Sequence, residues 1–298
     1  MMDYDYNKLK EAGKVSSEAL SYSRSIIKPG KKLLDIAEDI EKFIEGKGCK
    51  QAFPVNLSRN EEAAHYTPEY SDSRVVGDKD VIKVDLGARH ETYLTDCAVT
   101  VDMSGEYSRL VEASEKALEN AISLVKTGRK ANDIGKEIER TAKSYGYNTV
   151  RNLGGHGIEE HELHAGIFIP NFDNGDNTEL EEEAVIAIEP FLTTGAGYVV
   201  NGDSLQIFQG VSENQPRSSE ARKALSEITS SFSTYPFAMR WLIKRMGLEE
   251  FKTRKAIAEL ITIGDLDSFP VLVEKSKGIV AQSEKTLLVR KDSCDIIT

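Results

Sequence analysis

The sequence predicts an α/β protein built from two related halves, with a block of helices inserted into the second half. Segments of helical periodicity alternate with short runs rich in Val, Ile and Thr. Residues 25–48 align with residues 123–146 without a gap, at a shift of 98, and nine positions are identical. A shared block of this length indicates an internal duplication. We therefore expect one domain over residues 1–298, with residues 206–269 as an inserted helical subdomain.

Helices are predicted at corresponding places in both halves. In the first half, helical spacing of apolar residues predicts helices over residues 5–27 and from about 33 to 46. In the second half, the same pattern predicts helices at about 107–126 and 132–144. After the first pair, the sequence has the pattern of a short strand followed by a loop that carries His65.

Residues 81–100 alternate apolar and polar side chains around a turn-like segment, which predicts a β-hairpin. With the turn centred on His90 and Glu91, Asp85 would lie opposite Asp96. Two facing carboxylates repel each other, and their apolar neighbours make each charge unfavourable unless a cation binds. The hairpin therefore predicts a cation site. The alternative is that one Asp caps a turn while the other is solvated.

The second half supplies matching acidic and histidine positions. Glu189 follows the apolar run 184–188, which has the pattern of a buried strand, and it aligns with Asp85 in the internal repeat. His65, shifted by 98, falls next to His164. Because a buried carboxylate needs a partner, we expect the two halves to bring these residues to one centre.

Three more candidates lie in the second half. His156 and His161 occur with His164 in a Gly-rich segment, where backbone and ligand can approach closely. The HELH sequence has a His-to-His spacing of three, not four, so the HExxH metalloprotease motif is rejected. Glu284 lies in the predicted strand 278–292, and taken alone it is expected to be exposed on an edge strand.

The composition limits the classes of protein. The chain has 38 Lys and Arg against 49 Asp and Glu, a formal net charge of −11, which argues against a general binder of nucleic acid or anionic membranes. Its three cysteines are far apart and form neither a disulfide framework nor a zinc ribbon. We find no apolar signal segment and no run of about 18 apolar residues. We expect a cytoplasmic protein that contacts neither nucleic acid nor membrane directly.

Residues 206–269 contain three segments of helical periodicity that prolines separate. Most of these residues are expected only to pack against one another, with Trp241 and Leu242 as core candidates. Tyr235 and Phe269, near the edges of the insertion, are candidates for the wall of a cleft.

Several separated motifs resemble those of the type 2 methionine aminopeptidases, in the same order. They are AFPVNLSRNEEAAHYTP (52–68), VDLGARHETYLTD (84–96), NLGGHGI (152–158), LHAGIFIPN (163–171), AIEPF (187–191) and AQSEKT (281–286). The resemblance runs from about residue 5 to the end, and the helical insertion is typical of the type 2 branch. Because no N-terminal extension precedes the motifs, the sequence is similar to the archaeal members.

The resemblance implies the pita-bread fold, a centre of two divalent ions (Co, Mn, Fe or Zn) and removal of the initiator methionine from nascent polypeptides. It implies as metal ligands Asp85, Asp96, His156, Glu189 and Glu284. Glu189 is also expected to act as the base, with His65 and His164 as catalytic histidines that do not bind metal. The implied methionine pocket consists of Phe53, Leu163 and Phe269, with His65 and His164 beside them. We expect a monomer that prefers small second residues and acts on nascent chains, with the ribosome as a candidate location.

Two features depart from the family pattern. Ser283 occupies a position where the family usually has Phe, and residues 157–162, GIEEHE, are unusually acidic.

Two other functions are compatible with parts of this pattern. An Xaa-Pro aminopeptidase or prolidase of the same fold would share the metal ligands, but not the helical insertion or the AAHYTP loop. A metal-free pita-bread protein that binds ribosomes or RNA would have lost ligands, whereas all five are present here.

Overall fold

The structure is a computed structural model, and it describes residues 5–298. Within this range the helices are α1 (Tyr6–Ile26), α2 (Leu33–Gly46), α3 (Ser108–Ile122), α4 (Ala131–Tyr145), α5 (Ser219–Ser231), α6 (Met239–Met246) and α7 (Glu250–Thr262). The four helices predicted outside the insertion are confirmed to within a few residues at each end. None of these helices combines the length and the apolar composition that crossing a bilayer requires.

The strands are short and form several small sheets. In the described residues they are β1 (Lys50–Gln51), β2 (Asn56–Arg59), β3 (Glu62–Ala64), β4 (Val81–Leu86), β5 (Ala88–His90), β6 (Tyr93–Leu94), β7 (Cys97–Asp102), β8 (Asn148–Thr149), β9 (Gly154–Glu159), β10 (Glu162–Pro170), β11 (Val185–Ile188), β12 (Phe191–Thr193), β13 (Val199–Gly210), β14 (Phe237–Ala238), β15 (Leu266–Glu274), β16 (Val280–Gln282), β17 (Lys285–Val289) and β18 (Cys294–Ile296). The first half contains the sheet β2–β4–β7, and the second half contains β10–β9–β11–β17–β18. The predicted α/β class is confirmed.

The internal duplication appears in the two hydrophobic cores. Ile36 and Ile40 of α2 are buried with side chains of β2 and β4. Ile134 and Ile138 of α4, at the shift of 98 residues, are buried with side chains of β11 and β12. The repeated isoleucines therefore occupy equivalent core positions, as the aligned block predicts.

Two pairs of repeated glycines share a backbone conformation as well as a position. Gly30 and Gly128 have φ angles of 82° and 74°, and Gly48 and Gly146 have φ angles of 85° and 86°. Residues other than glycine rarely adopt this left-handed region. The glycines are therefore kept in both copies because each chain turn next to a helix requires this conformation.

The hairpin around Asp85 forms, but its predicted register is wrong by two residues. In the structure β4 pairs with β7 so that Asp85 lies opposite Ala98, not Asp96. The turn is at Glu91 and Thr92, one position later than predicted, since β5 and β6 pair on either side of it and Glu91 has a φ of 55°. A slip of two residues leaves side chains on the same face of a strand. Asp96 therefore still lies on the side of the sheet that carries Asp85.

The two halves join behind the acidic residues. Ala98 of β7 forms a bridge with Glu284, which lies between β16 and β17. Beside this bridge, Thr100 Oγ1 donates a hydrogen bond to Gln282 O at 2.7 Å, and Gln282 N donates to Thr100 Oγ1 at 2.8 Å. Glu284 is only 2% exposed, so the expectation of an exposed edge-strand residue is wrong. A strand of the other half covers this position.

The inserted helices α5, α6 and α7 lie between β13 and β15, which pair with each other. They pack around their own hydrophobic cluster, where Leu242 is fully buried as predicted. Trp241 is half-buried, and its Nε1 donates a hydrogen bond to Glu41 of α2 at 3.0 Å. The helices are thus packed internally and also bonded to the first half. The limits 206 and 269 of the subdomain stay a prediction.

The repeated glycines make a testable prediction about backbone conformation. A Cβ atom added at Gly146 or at Gly46 would meet no other part of the chain within 4 Å, but only Gly146 has a positive φ. We expect Gly146→Ala to destabilise the protein by about 1–2 kcal/mol through backbone strain. Gly46→Ala, the matched control at a helical position, should stabilise it by about 0.5–1 kcal/mol. Urea unfolding measures both, and equal unfolding midpoints for the two variants would contradict the argument.

Candidate metal centre and active site

Five residues from both halves converge on one buried centre, which we call the acidic cluster. It consists of Asp85 on β4, Asp96 just before β7, His156 on β9, Glu189 just after β11, and Glu284 between β16 and β17. His156 Nε2 lies 3.5 Å from Asp96 Oδ2 and 3.9 Å from Glu189 Oε1. Single ligand atoms of Asp96, His156 and Glu284 all lie within 4.8 Å of one another.

Neighbouring groups hold the members of the cluster in place. Thr286 Oγ1 of β17 accepts a hydrogen bond from Asp96 N at 2.8 Å and donates one to Asp96 O at 2.7 Å. His156 Nδ1 lies 3.0 Å from Gly157 O. Because a carbonyl can only accept, Nδ1 carries the proton and Nε2 keeps its lone pair toward the carboxylates. This tautomer is the one that a metal ligand requires.

Within the described residues, the carboxylates of the cluster have no cationic side chain as a partner. No lysine or arginine among residues 5–298 forms an ion pair with its four carboxylates. One oxygen each of Asp85, Asp96 and Glu284 is buried without a hydrogen-bond partner. Burial of unpaired acceptors and charges is strongly unfavourable. Oxygen-rich ligand sets with one imidazole suit divalent cations such as Mn, Fe, Co and Zn. The residues therefore fit a metal centre.

Burial also shifts the pKa values of these groups. Loss of solvation raises the pKa of Asp96 to about 7 and raises the pKa values of Asp85, Glu189 and Glu284 well above the usual range. The nearby carboxylates raise the last three further through mutual repulsion. Burial lowers the pKa of His156 to about 4, so this imidazole is neutral at pH 7. A metal ligand must be a neutral imidazole or an ionised carboxylate, and a bound cation would release the protons that the buried acids hold in its absence. These protonation properties therefore suit a metal site.

The two predicted catalytic histidines lie beside the cluster. His164 on β10 packs against His156, with ring centroids 4.3 Å apart. His65 follows β3 with a φ of 65°, and its Nδ1 lies 3.3 Å from Pro270 O. Burial lowers the pKa of His65 to about 4 and the pKa of His164 to about 3. Both rings are therefore neutral at pH 7.

A narrow cavity of about 50 Å³, which we call the slot, connects these histidines with the apolar candidates. The residues that line it are Phe53, Asn56, His65, Asp85, Leu163, His164, Ile207, Pro236 and Phe269. Phe269 meets the His65 ring edge to face, with centroids 5.9 Å apart. Phe53, Leu163 and Phe269 thus come together next to Asp85, and two larger surface depressions lie away from the cluster.

Sequence reasoning missed two polar residues at this centre. Gln282 Nε2 lies 3.2 Å from Glu284 Oε2 and 3.5 Å from Glu189 Oε2, so the amide bridges two carboxylates. Asn56 lies opposite Asp85 on the neighbouring strand β2 and lines the slot. Alternate residues of a strand share a face, so the position of Gln282 two residues before Glu284 could have indicated that both side chains face the centre.

Two of the residues singled out in the sequence lie outside the centre. His161 has its Nδ1 2.9 Å from the hydroxyl oxygen of Tyr235. Tyr235 stacks on the guanidinium of Arg89, 4.1 Å from the ring centre. Arg89 and Tyr235 line a separate surface groove. Tyr235 is not among the residues that line the slot, whereas Phe269 is.

The comparisons with known proteins identify the family of this chain. The family model described as "Metallopeptidase family M24" matches residues 7–215. The methionine aminopeptidase of Thermococcus onnurineus (strain NA1) is 44% identical to this chain, over 97% of this chain and 98% of that protein. The chain belongs to the methionine aminopeptidases of metallopeptidase family M24. It is a metal-dependent hydrolase, and family membership implies that it uses divalent metal.

Solved structures confirm the predicted pita-bread fold. A thermophilic Arx1 has a TM-score of 0.85 at 20% identity, covering 98% of this chain and 90% of that one. The methionine aminopeptidase of Thermotoga maritima has a TM-score of 0.72 at 24% identity, covering 100% of this chain and 98% of that one. These likenesses are informative about the fold alone. The full-length identity of 44% to a methionine aminopeptidase favours that family over the two alternative functions.

Asp96→Asn tests the acidic cluster as a metal centre. The change keeps the size of the side chain but removes one anionic ligand, so metal affinity should fall by about 100-fold or more. Metal analysis after dialysis at equal free metal measures this, and thermal unfolding checks the fold. Asp133→Asn, on the surface of α4 in an ion pair with Arg129, is the control and should retain its metal. Full metal content in Asp96→Asn would place the centre elsewhere.

The raised pKa values predict how metal stabilises the protein as pH changes. Asp96 has a folded pKa of about 7 against an ordinary 3.8, so without metal its contribution to stability is full below pH 3.8 and is lost as pH rises through 7. A bound cation removes this loss. His65, His156 and His164 have pKa values of about 3 to 4 in the folded protein, so they are neutral there at pH 6.5 and above. Their titration in the unfolded chain is common to the metal-free and the metal-loaded protein.

We therefore expect a saturating divalent cation to raise the melting temperature more at pH 8 than at pH 6.5. Thermal unfolding of metal-free and Mn-loaded protein at both pH values measures the difference. An equal rise at both pH values would contradict the assignment of protons to the acidic cluster.

Proposed function

We propose that this protein removes N-terminal methionine from polypeptides by hydrolysis that depends on two divalent ions. The proposal rests on the contact between the buried acidic cluster and an apolar slot lined by two neutral histidines. No lysine or arginine of residues 5–298 pairs with the carboxylates of that cluster. The slot provides a place for one apolar side chain, and the cluster lies beside the peptide bond that would follow it.

Asp85, Asp96, His156, Glu189 and Glu284 are the residues that would hold the ions. When bound there, divalent cations would lower the pKa of a water molecule to about 7 and polarise the scissile carbonyl. Two ions are proposed because four carboxylates carry enough charge to neutralise two divalent cations. Co, Mn, Fe or Zn suit this oxygen-rich set.

Glu189 would act as the general base and then the general acid. Its carboxylate takes the proton from the attacking water and returns it to the leaving amine. Gln282 Nε2, 3.5 Å from Glu189 Oε2, supports this role because the contact restricts one carboxylate oxygen and leaves the other toward His156.

The two histidines would act as neutral hydrogen-bonding groups. With a pKa of about 3, His164 is neutral and can donate an N–H to the carbonyl oxygen as negative charge develops there. His65 would donate from Nδ1 to Pro270 O, which leaves its Nε2 as an acceptor for a peptide N–H on the leaving side. Neither role requires a charged imidazole, which agrees with the burial of both rings.

Phe53, Leu163 and Phe269 would form the methionine pocket. A flexible thioether gains by burial and by contact between sulfur and aromatic rings. The free α-amino group would face the carboxylates, which excludes blocked N-termini. Small second residues should be preferred, because His65 and Pro236 close the slot on the leaving side.

We extend the proposal to nascent polypeptides at the ribosome as substrates, to the cytoplasm as the location and to a monomer as the working form. The support is the substrate itself, since the initiator methionine is exposed first on nascent chains. The net charge of −11 argues against nucleic acid as a direct partner.

A panel of four peptides tests the substrate. We expect the metal-loaded protein to release free methionine from a Met-Gly peptide, and to leave acetyl-Met-Gly and Lys-Gly peptides intact. An Ala-Pro peptide should also resist cleavage. A norleucine peptide, added to the panel, should be accepted, since a pocket of this kind distinguishes one methylene by about 1–3 kcal/mol. Amino-acid analysis of the released residue measures the outcome, and a preference for Ala-Pro would assign the protein to the proline-specific peptidases.

A further inference from the structure

The guanidinium of Arg240, in the first turn of α6, is fully buried between the inserted helices and the first half. Its Nη2 donates a hydrogen bond to Glu41 of α2. Its Nη1 donates to Thr67 Oγ1 at 2.6 Å and to Pro68 O at 3.1 Å. Arginine is seldom buried completely without a specific arrangement of partners. Arg240 links the inserted helices to Thr67 and Pro68, which follow His65 by two and three residues.

The same group of residues also reaches the segment that carries Phe53. Thr67 Oγ1 accepts from Arg240 and donates its own proton to Val55 O at 2.8 Å. Glu41 accepts the bond from Arg240 and a second one from Trp241 Nε1 at 3.0 Å. We call Arg240, Glu41 and Thr67 the clamp. It connects α2 and α6 with two chain segments, one containing Phe53 and the other beginning at His65.

The backbone of His65 needs such support. Its φ of 65° lies in the left-handed region, which is unfavourable for a residue with a side chain. Strained residues persist only where the surrounding structure determines their conformation. On one side, Ala64 pairs with Leu272 of β15. On the other side, Thr67 is held by Arg240, so the strained residue lies between two fixed points.

We propose that Arg240 is a positioning residue that sets the orientation of His65 through Thr67. The inference rests on the proposed function, in which His65 contacts the substrate. Arg240 does not line the slot and belongs to neither the acidic cluster nor the apolar pocket. Its effect on the reaction passes through the loop, and the inserted helices thereby become part of the active-site framework.

Two variants of Thr67 test the clamp without leaving a buried charge unpaired. Thr67→Val removes the hydroxyl but keeps the shape, and Arg240 retains Glu41 and Pro68 O as acceptors. We expect kcat on a Met-Gly peptide to fall by about ten- to hundredfold, because small displacements of a reacting group have effects of this size. KM and metal content should change little. Thr67→Ser restores the hydroxyl and should restore kcat to within about twofold.

Lys244→Gln is the matched control for contact between the same two helices. Lys244 Nζ of α6 lies 2.5 Å from Glu38 Oε1 of α2, and neither residue lines the slot. Its loss removes an ion pair between α2 and α6 and should leave kcat unchanged. Arg240→Lys keeps the charge opposite Glu41 but cannot reach three acceptors, so its kcat should fall as in Thr67→Val. Thermal unfolding confirms that each variant is folded.

A second readout does not depend on turnover. Diethyl pyrocarbonate modifies neutral imidazoles, and mass mapping gives the labelling rate of His65 separately from that of the other histidines. We expect His65 to be labelled several-fold faster in Thr67→Val than in Thr67→Ser or Lys244→Gln. Equal kcat and equal labelling in folded Thr67→Val and Thr67→Ser would overturn the proposal. Failure of the parent protein to release methionine would instead count against the proposed function, and the labelling contrast would still decide the clamp.

Discussion

Asp85, Asp96, Glu189 and Glu284 repel one another in a buried centre, and no lysine or arginine of residues 5–298 pairs with them. The surrounding fold must hold these groups together against this repulsion. Asp85 lies on β4, and the other three lie at the ends of β7, β11 and β17. These strands are held by hydrogen bonds that do not involve the carboxylates. Divalent cations would supply the missing positive charge, so metal binding would stabilise the folded arrangement of these groups.

The duplicated architecture explains how these groups come to face one another. Each half contributes a helix pair packed on a sheet, and His156 of the second half lies 3.5 Å from Asp96 of the first. Thr100 and Gln282 join the halves beside the centre, and Gln282 also bridges Glu189 and Glu284. A displacement of one half relative to the other would therefore separate the carboxylates. Residues that connect the halves matter for the chemistry although they do not bind metal.

The inserted helices contribute to the same framework from a different side. Their own cluster of apolar side chains would allow them to pack independently, yet Arg240 and Trp241 bond to Glu41 of α2. Pro236, within the insertion, and Phe269, at its end, line the slot. The insertion thus closes the pocket that would receive methionine, while the repeated halves would provide the ligands for the metal.

Sequence patterns alone determined the helices, the α/β class and the repeat, because these depend on local periodicity and on an ungapped alignment. The motifs also led to all five members of the acidic cluster and to His65, His164, Phe53, Leu163 and Phe269, whose roles stay predictions. The pairing of Asp85 was wrong by two residues, because the register depends on the position of a turn with a positive φ at Glu91.

Contacts between distant segments were decided only by the tertiary structure. The burial of Glu284 depends on a strand from the other half, and the place of Gln282 between two carboxylates depends on three strands meeting. The bond from Arg240 to Thr67 spans 173 residues of sequence. Local sequence patterns do not show which residues far apart in the sequence will be in contact. These contacts depend on how the strands and helices pack against one another.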